Sequence, residues 1–201
     1  MNRHSLLADL HMGEILDIKR GEAGLFGYGS LLLQRSMEQT LGRPYTRKRY
    51  ACKLHGWSRR WNALYPNNRY YFSTGGDERL YPASIAYLNI CRADVSVNGV
   101  LYVITEQELS AFDRREWIYD RVDVTRDLSE CQVEGGVVWA YVAKPDYTMN
   151  SIWPVEEAAI RASYIRIVEE GLDELGQAFR DGYASSTEQP RTENIISDQQ
   201  D

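Results

Sequence analysis

A mixed α+β domain, built on a small curved or barrel-like sheet with flanking helices, is the fold class this sequence predicts. Three observations carry that expectation. Short stretches rich in β-branched and aromatic residues, YYFST, SIAYLNI, GVLYVI and GGVVWAYVA, read as strands. Helical patterns fall at the start, middle and end of the chain rather than after every strand. Over 201 residues, 43% apolar and 26% charged side chains suit one soluble domain with material for a core.

Taken in order, residues 1–22 are a mixed polar extension with no period beyond a short amphipathic helix. GLFGY reads as a buried strand punctuated by the turn Gly27-Tyr28-Gly29, where flanking glycines permit positive φ. Ser30 is placed to cap a helix through LLLQRSMEQTL that stops at Gly42. Residues 43–61 alternate like a strand and are basic and aromatic, and the segment NNRYYFSTGGDERLYP holds turns and a surface loop around the YYFST candidate. Thr105 and Glu108 form a capping box that opens a helix through Leu109 and Phe112. DRVDVT and GGVVWAYVA return to strand patterning.

Pro154 is expected to open a long helix with Ile160, Tyr164, Ile167 and Val168 on one face, interrupted near Gly171. LDELGQAFRDGY supplies a second helix. From Ala184 onward large apolar side chains nearly vanish, so a disordered tail is expected. The organisation is therefore an extension (1–22), a single domain (23–183) and a tail (184–201).

The net charge of −6 argues against nucleic acid as the main partner. Arg43, Arg47, Lys48, Arg49, Lys53, Arg59 and Arg60 nonetheless form a basic run interleaved with Tyr45, Tyr50 and Trp57. Such a run could stack a single strand, attract an anionic substrate, or be a solvated face beside acidic neighbours. No apolar stretch approaches the roughly 20 residues of a membrane span, and the N-terminus lacks a signal-peptide core. Cys52, Cys91 and Cys131 are scattered and odd in number. They imply no disulfide framework and suit a reducing, cytosolic setting. Cys52 and His55 form a lone C-x-x-H pair, too little for a metal site.

Two features bear on chemistry. The first is FGYGSL, Phe26 to Leu31. Its glycine-flanked turn could leave backbone N–H groups facing an anion or a polarised carbonyl oxygen. It lacks the third glycine of a dinucleotide fingerprint, the lysine of a phosphate loop and the second glycine of a nucleophile elbow. A tight turn that only packs remains the competing reading.

The second feature is Glu116, which lies four residues after Phe112 and seven after Leu109. If the helix persists, its carboxylate shares the apolar face while Arg114 and Arg115 point elsewhere. Desolvation and the helix C-terminus would both raise its pKa, which suits general acid–base work near neutral pH. A structural ion pair with Arg121 is the alternative.

Together FGYGSL, ACKLHGWSRRWNAL, NGVLYVIT with FDRREWIYDRVDV, and SYIRIVEEGLDELG resemble, in order, segments of the gamma-glutamylcyclotransferase family, including its ChaC-like and AIG2-like branches. The resemblance runs from about Leu25 to Gly176 and implies the gamma-glutamylcyclotransferase-like fold. It further implies intramolecular aminolysis of a small γ-glutamyl compound, releasing 5-oxoproline and an amine or amino acid, with no metal or organic cofactor. By the same resemblance Glu116 is the general acid/base. Tyr28, Gly29, Ser30 and Leu31 hold the substrate through their backbone, and Tyr164 and Tyr119 close the pocket. The expected partner is the small γ-glutamyl molecule alone, with neither nucleic acid nor membrane. A non-catalytic binding module with the same fold is the alternative, and the leaving amine stays unnamed.

Overall fold

The structure, a computed structural model, describes residues 15–73, 78–148 and 157–200. In chain order its elements are β1 (Ile15–Asp17), β2 (Glu22–Gly27), α1 (Gln34–Leu41), β3 (Tyr50–Pro66), β4 (Tyr70–Tyr71), β5 (Ser84–Thr105) and α2 (Glu106–Arg115). There follow β6 (Tyr119–Asp123), β7 (Leu128–Ser129), β8 (Gln132–Glu134), β9 (Val138–Ala143), β10 (Ile160–Arg161), α3 (Ala162–Leu175), α4 (Gln177–Ser185), β11 (Ile195–Ile196) and β12 (Gln199–Gln200). The fold is mixed α+β, as expected: a six-stranded sheet of order β6-β9-β2-β5-β3-β7, curled into a half-barrel, with four helices.

The two separate strand candidates SIAYLNI and GVLYVI are halves of one strand, β5, 22 residues long. Its first part pairs with β3 and its last part with both β3 and β2. Register shifts in β3 between His55 and Trp57 and between Arg60 and Ala63 bend this long hairpin, since each extra residue kinks a strand and increases its twist. β2 sits between β5, antiparallel, and β9, parallel. Flanked on both sides, it is buried from Ala23 to Gly27, which explains its near-continuous apolar sequence. Leu25, Phe26, Leu54, Ile90, Tyr102 and Phe112 are among the fully buried side chains that fill the curl.

Several expectations need correction. Ser30 does not cap a helix with its side chain. It opens a 3-10 turn, Ser30–Leu32, and α1 begins only at Gln34, ending as expected at Gly42 with left-handed dihedrals. Gly27 and Gly29 do not use positive φ. They are glycines for want of room: a Cβ on Gly27 would lie 2.6 Å from the Leu31 Cβ, and one on Gly29 would lie 2.8 Å from the Tyr164 hydroxyl.

At the far end, Pro154 lies outside the described residues, and Ile160 belongs to β10 rather than to the helix. α3 runs uninterrupted through Gly171 and breaks at Gly176 instead. Gly171 is where the helix rests on the turn, since a Cβ there would meet Leu33 N at 2.7 Å and Leu32 C at 2.8 Å.

The segment after Ala184 is not a loose tail. Arg59 N donates to Ser186 O, β11 pairs with β10, and β12 pairs with β4. The side chain of Asp198, 5% exposed, bonds Arg161 and Ser163. In the N-terminal extension, residues 15–17 form a strand beside β8 rather than a helix. Cys52 and Cys131 form a disulfide, Cα–Cα 5.7 Å, across 79 residues of sequence. β7 pairs with β3 at Lys53 and Leu54, and that places Cys131 against Cys52. Scattered spacing hid the pair, and the ground for a reducing setting goes with it. Cys91 is free. Among the described residues, no helix is long and apolar enough to cross a membrane.

Candidate active site

The end of β2, the following turn, β5, the end of α2, β6, β9 and α3 converge on one small cavity of about 40 Å³. Phe26 through Leu31 form one side of it, and Leu88, Glu116, Tyr119, Tyr141 and Tyr164 complete the wall. Glu116 is the one carboxylate among these lining residues.

The capping box fixes the start of α2: Thr105 Oγ1 accepts from Glu108 N at 3.2 Å, and Glu108 Oε2 accepts from Thr105 N at 2.9 Å. Leu109 and Phe112 bury the inner face. The helix ends at Arg115, one residue before Glu116, which stands at the C-cap. Its N–H donates to Phe112 O at 2.8 Å, and its carbonyl accepts from Tyr119 N at 2.8 Å. Backbone bonds on both sides therefore hold the acid on the apolar face that the spacing indicated.

The Glu116 side chain is 17% exposed. Burial pushes its pKa above the ordinary glutamate value, and the neighbouring Arg115 partly opposes this. Arg121 is not the partner of Glu116; it pairs with Asp113 at 2.9 Å. Nor does Arg115 point elsewhere, for its Nε lies 3.1 Å from Glu116 Oε1. The same guanidinium donates to Ser30 Oγ at 2.8 Å, to Thr40 Oγ1 at 2.6 Å, and to Ser36 O and Oγ at 3.0 Å. Arg115 thus links the acid to the turn and to α1, which residue spacing on α2 alone did not reveal.

The tyrosines divide by what their hydroxyls do. Tyr28 donates to Tyr141 O at 2.5 Å, Tyr119 to Leu88 O at 3.0 Å, and Tyr141 to Asp113 Oδ1 at 2.8 Å. These rings wall the cavity with hydroxyls already engaged. Tyr164 projects from α3 toward Gly29 and sits edge-to-face against Trp61 and Tyr87. Burial raises the pKa of Tyr28, Tyr119, Tyr141 and Tyr164, so all four are neutral phenols near pH 7. In the turn, hydrogen bonding begins with Leu32 N to Gly29 O. The Ser30 and Leu31 N–H groups precede that bond and have no carbonyl within the turn to donate to.

All seven residues singled out in the sequence, Tyr28, Gly29, Ser30, Leu31, Glu116, Tyr119 and Tyr164, line this one cavity. Phe26 and Gly27, in the FGYGSL motif but given no substrate role, also line it, as do Leu88 and Tyr141, which the sequence did not single out. Tyr141 belongs to the strand pattern GGVVWAYVA, and its alternation with Trp139 carries no sign of which face meets the cavity. Four members of the basic run are taken up by ion pairs: Arg43, Arg47, Arg49 and Lys53 pair with Glu108, Glu22, Glu174 and Glu130. Tyr45 and Trp57 are buried rather than presented for stacking. Among the described residues no cluster of three or more His, Cys, Asp or Glu could hold a metal ion.

Residues 25–158 match the family model described as gamma-glutamyl cyclotransferase, AIG2-like. The chain belongs to that family. Solved structures share its fold at low identity. An uncharacterized protein from Homo sapiens matches with TM-score 0.53 and 15% identity, over 86% of this chain and 91% of that one. A structure described as a gamma-glutamyl cyclotransferase matches with TM-score 0.51 and 13% identity, over 88% of this chain and 94% of that one. YkqA from Bacillus subtilis matches with TM-score 0.58 and 16% identity over 83% of this chain, which spans 54% of the YkqA chain. No curated protein matches the chain in sequence. Membership of the family indicates a gamma-glutamyl cyclotransferase-like activity.

Proposed function

We propose that the protein cyclises a small γ-glutamyl compound to 5-oxoproline, with Glu116 as the proton carrier. The observation that supports this most is a lone, desolvated carboxylate facing a glycine-flanked turn across a small cavity. The free α-amino nitrogen of the substrate attacks its own γ-carbonyl carbon. Glu116 takes a proton from that amine. A new C–N bond closes the five-membered ring, the bond to the leaving amine breaks, and the proton passes from Glu116 to the departing nitrogen. A carboxyl raised toward neutrality by burial is suited to both transfers.

Because nucleophile and electrophile belong to one molecule, the protein's main task is to hold a reactive conformer. Such preorganisation supplies on the order of 7–11 kcal/mol in well-oriented cases. The Tyr28–Leu31 backbone holds the glutamyl head or the developing oxyanion, and Tyr164 closes the cavity beside Gly29. Removing one oxyanion donor typically costs about 3 kcal/mol. The leaving amine extends beyond the small cavity, so glutathione, γ-glutamyl amino acids and γ-glutamyl amines all share the head that fits.

The test is incubation with a panel of γ-glutamyl compounds, with 5-oxoproline measured by mass spectrometry, alongside Glu116→Gln. Ring product from at least one compound and near-total loss in the variant are expected. Unchanged turnover in Glu116→Gln removes the proton-carrier role, and silence across the panel moves the protein to the binding-module reading.

A further inference from the structure

Behind the turn lies Arg59, the largest fully buried side chain of the described residues. No carboxylate among the described residues pairs with it. Its donors all go to neutral acceptors: Nε to Tyr28 O at 2.8 Å, Nη1 to Thr187 Oγ1 at 2.6 Å and Ser186 Oγ at 3.4 Å, and Nη2 to the Asn98 carbonyl and to Asn98 Oδ1. The guanidinium also lies over the Tyr183 ring at 4.2 Å. An interior cation without a counter-ion is costly to maintain. Its pKa is pushed down to about 10 by burial, so it still carries its charge at neutral pH.

The geometry of one peptide group shows where that charge is felt. Arg59 donates to the carbonyl of Tyr28. The Tyr28–Gly29 peptide is trans, like every described peptide, so its N–H points opposite to its carbonyl. The carbonyl faces the buried arginine; the N–H faces away from it, and both residues line the cavity. A cation on the carbonyl polarises the amide and strengthens its N–H as a donor. The segment that was expected to be a tail holds the other end of the guanidinium. Ser186 Oγ and Thr187 Oγ1 are themselves anchored to α4 through Gly182 O and Tyr183 O.

We propose that Arg59 is a positioning residue that makes this turn a carboxylate site, the bound anion serving as a counter-ion that none of the described residues supplies. The inference rests on the cavity's role as a γ-glutamyl head site and names the part of that head it selects, the α-carboxylate. The C-terminal segment is then part of the site, because it fixes the guanidinium against Tyr28.

The probes are 5-oxoproline and 2-pyrrolidinone, the same ring without the carboxylate, with affinities measured by titration calorimetry or ligand-observed NMR. The full chain is expected to bind 5-oxoproline at least about tenfold tighter, as a charge-assisted hydrogen bond implies. Arg59→Met, checked for a folded chain by circular dichroism, is expected to reduce that ratio to about twofold or less. Glu116→Gln is expected to preserve it. If Arg59→Met does not fold, the Ser186→Ala/Thr187→Val double variant replaces it and is expected to lower the ratio severalfold. Equal affinity for the two rings in the unaltered chain overturns the proposal, and so does an unchanged ratio in the folded arginine variant or in the double variant. Because the readout is binding, a chain that prefers the anion yet makes no ring product fails the cyclisation reading alone.

Discussion

A methyl group at Gly29 is the most discriminating test of how the cavity is built. It would stand 2.8 Å from the Tyr164 hydroxyl, while its next neighbours, Leu88 Cβ and Cδ1, lie at ordinary contact distances of 3.6 and 3.7 Å. One atom therefore bears the clash. The hydroxyl cannot swing aside freely, because its ring is set edge-to-face against Tyr87 at 4.9 Å and Trp61 at 5.9 Å. Overpacking of this kind costs about 1–3 kcal/mol, and a single offending atom places Gly29→Ala near the low end, at about 1.5 kcal/mol. For a domain of this size that lowers the melting temperature by about 3–6 °C. Tyr164→Phe deletes the offending atom. In that background the cost of Gly29→Ala is expected to fall to a few tenths of a kcal/mol, leaving a coupling of about 1 kcal/mol in a double-mutant cycle. The assay is urea denaturation of the four proteins. Additive losses would refute the close approach of α3 to the turn.

Three other outcomes follow from the same structure. Glu116 titrates above its ordinary value of 4.5 in the folded chain because of burial. Folding therefore favours its protonated form, and stability falls as pH rises from 4.5 through the raised folded value. Glu116→Gln should be more stable than the parent at pH 8, with the gain vanishing in denaturation curves taken below pH 4. Arg115→Met should move the acid limb of the kcat/KM profile to higher pH, since removal of the adjacent cation disfavours the carboxylate, while Arg115→Lys moves it less; an unmoved limb in both would detach Arg115 from the acid. Reduction of Cys52–Cys131, which closes a loop across 79 residues, should cost roughly 4 kcal/mol by chain entropy, read as a shift in denaturation midpoint with and without reductant.

What could be read before the coordinates was local in origin. The capping box at Thr105, the stop at Gly42 and the alternation of VVWAYVA depend on neighbours a few residues apart. The placement of Glu116 followed from Leu109 and Phe112 by helical spacing, even though the helix ends one residue short of it. What could not be read depends on partners distant in the chain. The Cys52–Cys131 pair needs β7 beside β3. The order in the last residues comes from pairing with β4 and β10 and from Arg59, not from their own polar composition. Gly171 looks like a helix breaker by propensity, and only the nearness of Leu32 and Leu33 reveals that it permits contact. Arg59 and Arg60 are adjacent members of one basic run, yet alternation along β3 buries one and exposes the other.

The dependence of Arg59 on Ser186 and Thr187 has a consequence for how the protein is made. Translation delivers Phe26 to Leu31 well before Ser186 and Thr187. Until Ser186 and Thr187 emerge, a nascent chain carries its turn with the Arg59 guanidinium short of two of its acceptors. Fragments cut short before residue 186 should lose much of the cavity's preference for the anion however much sheet they contain.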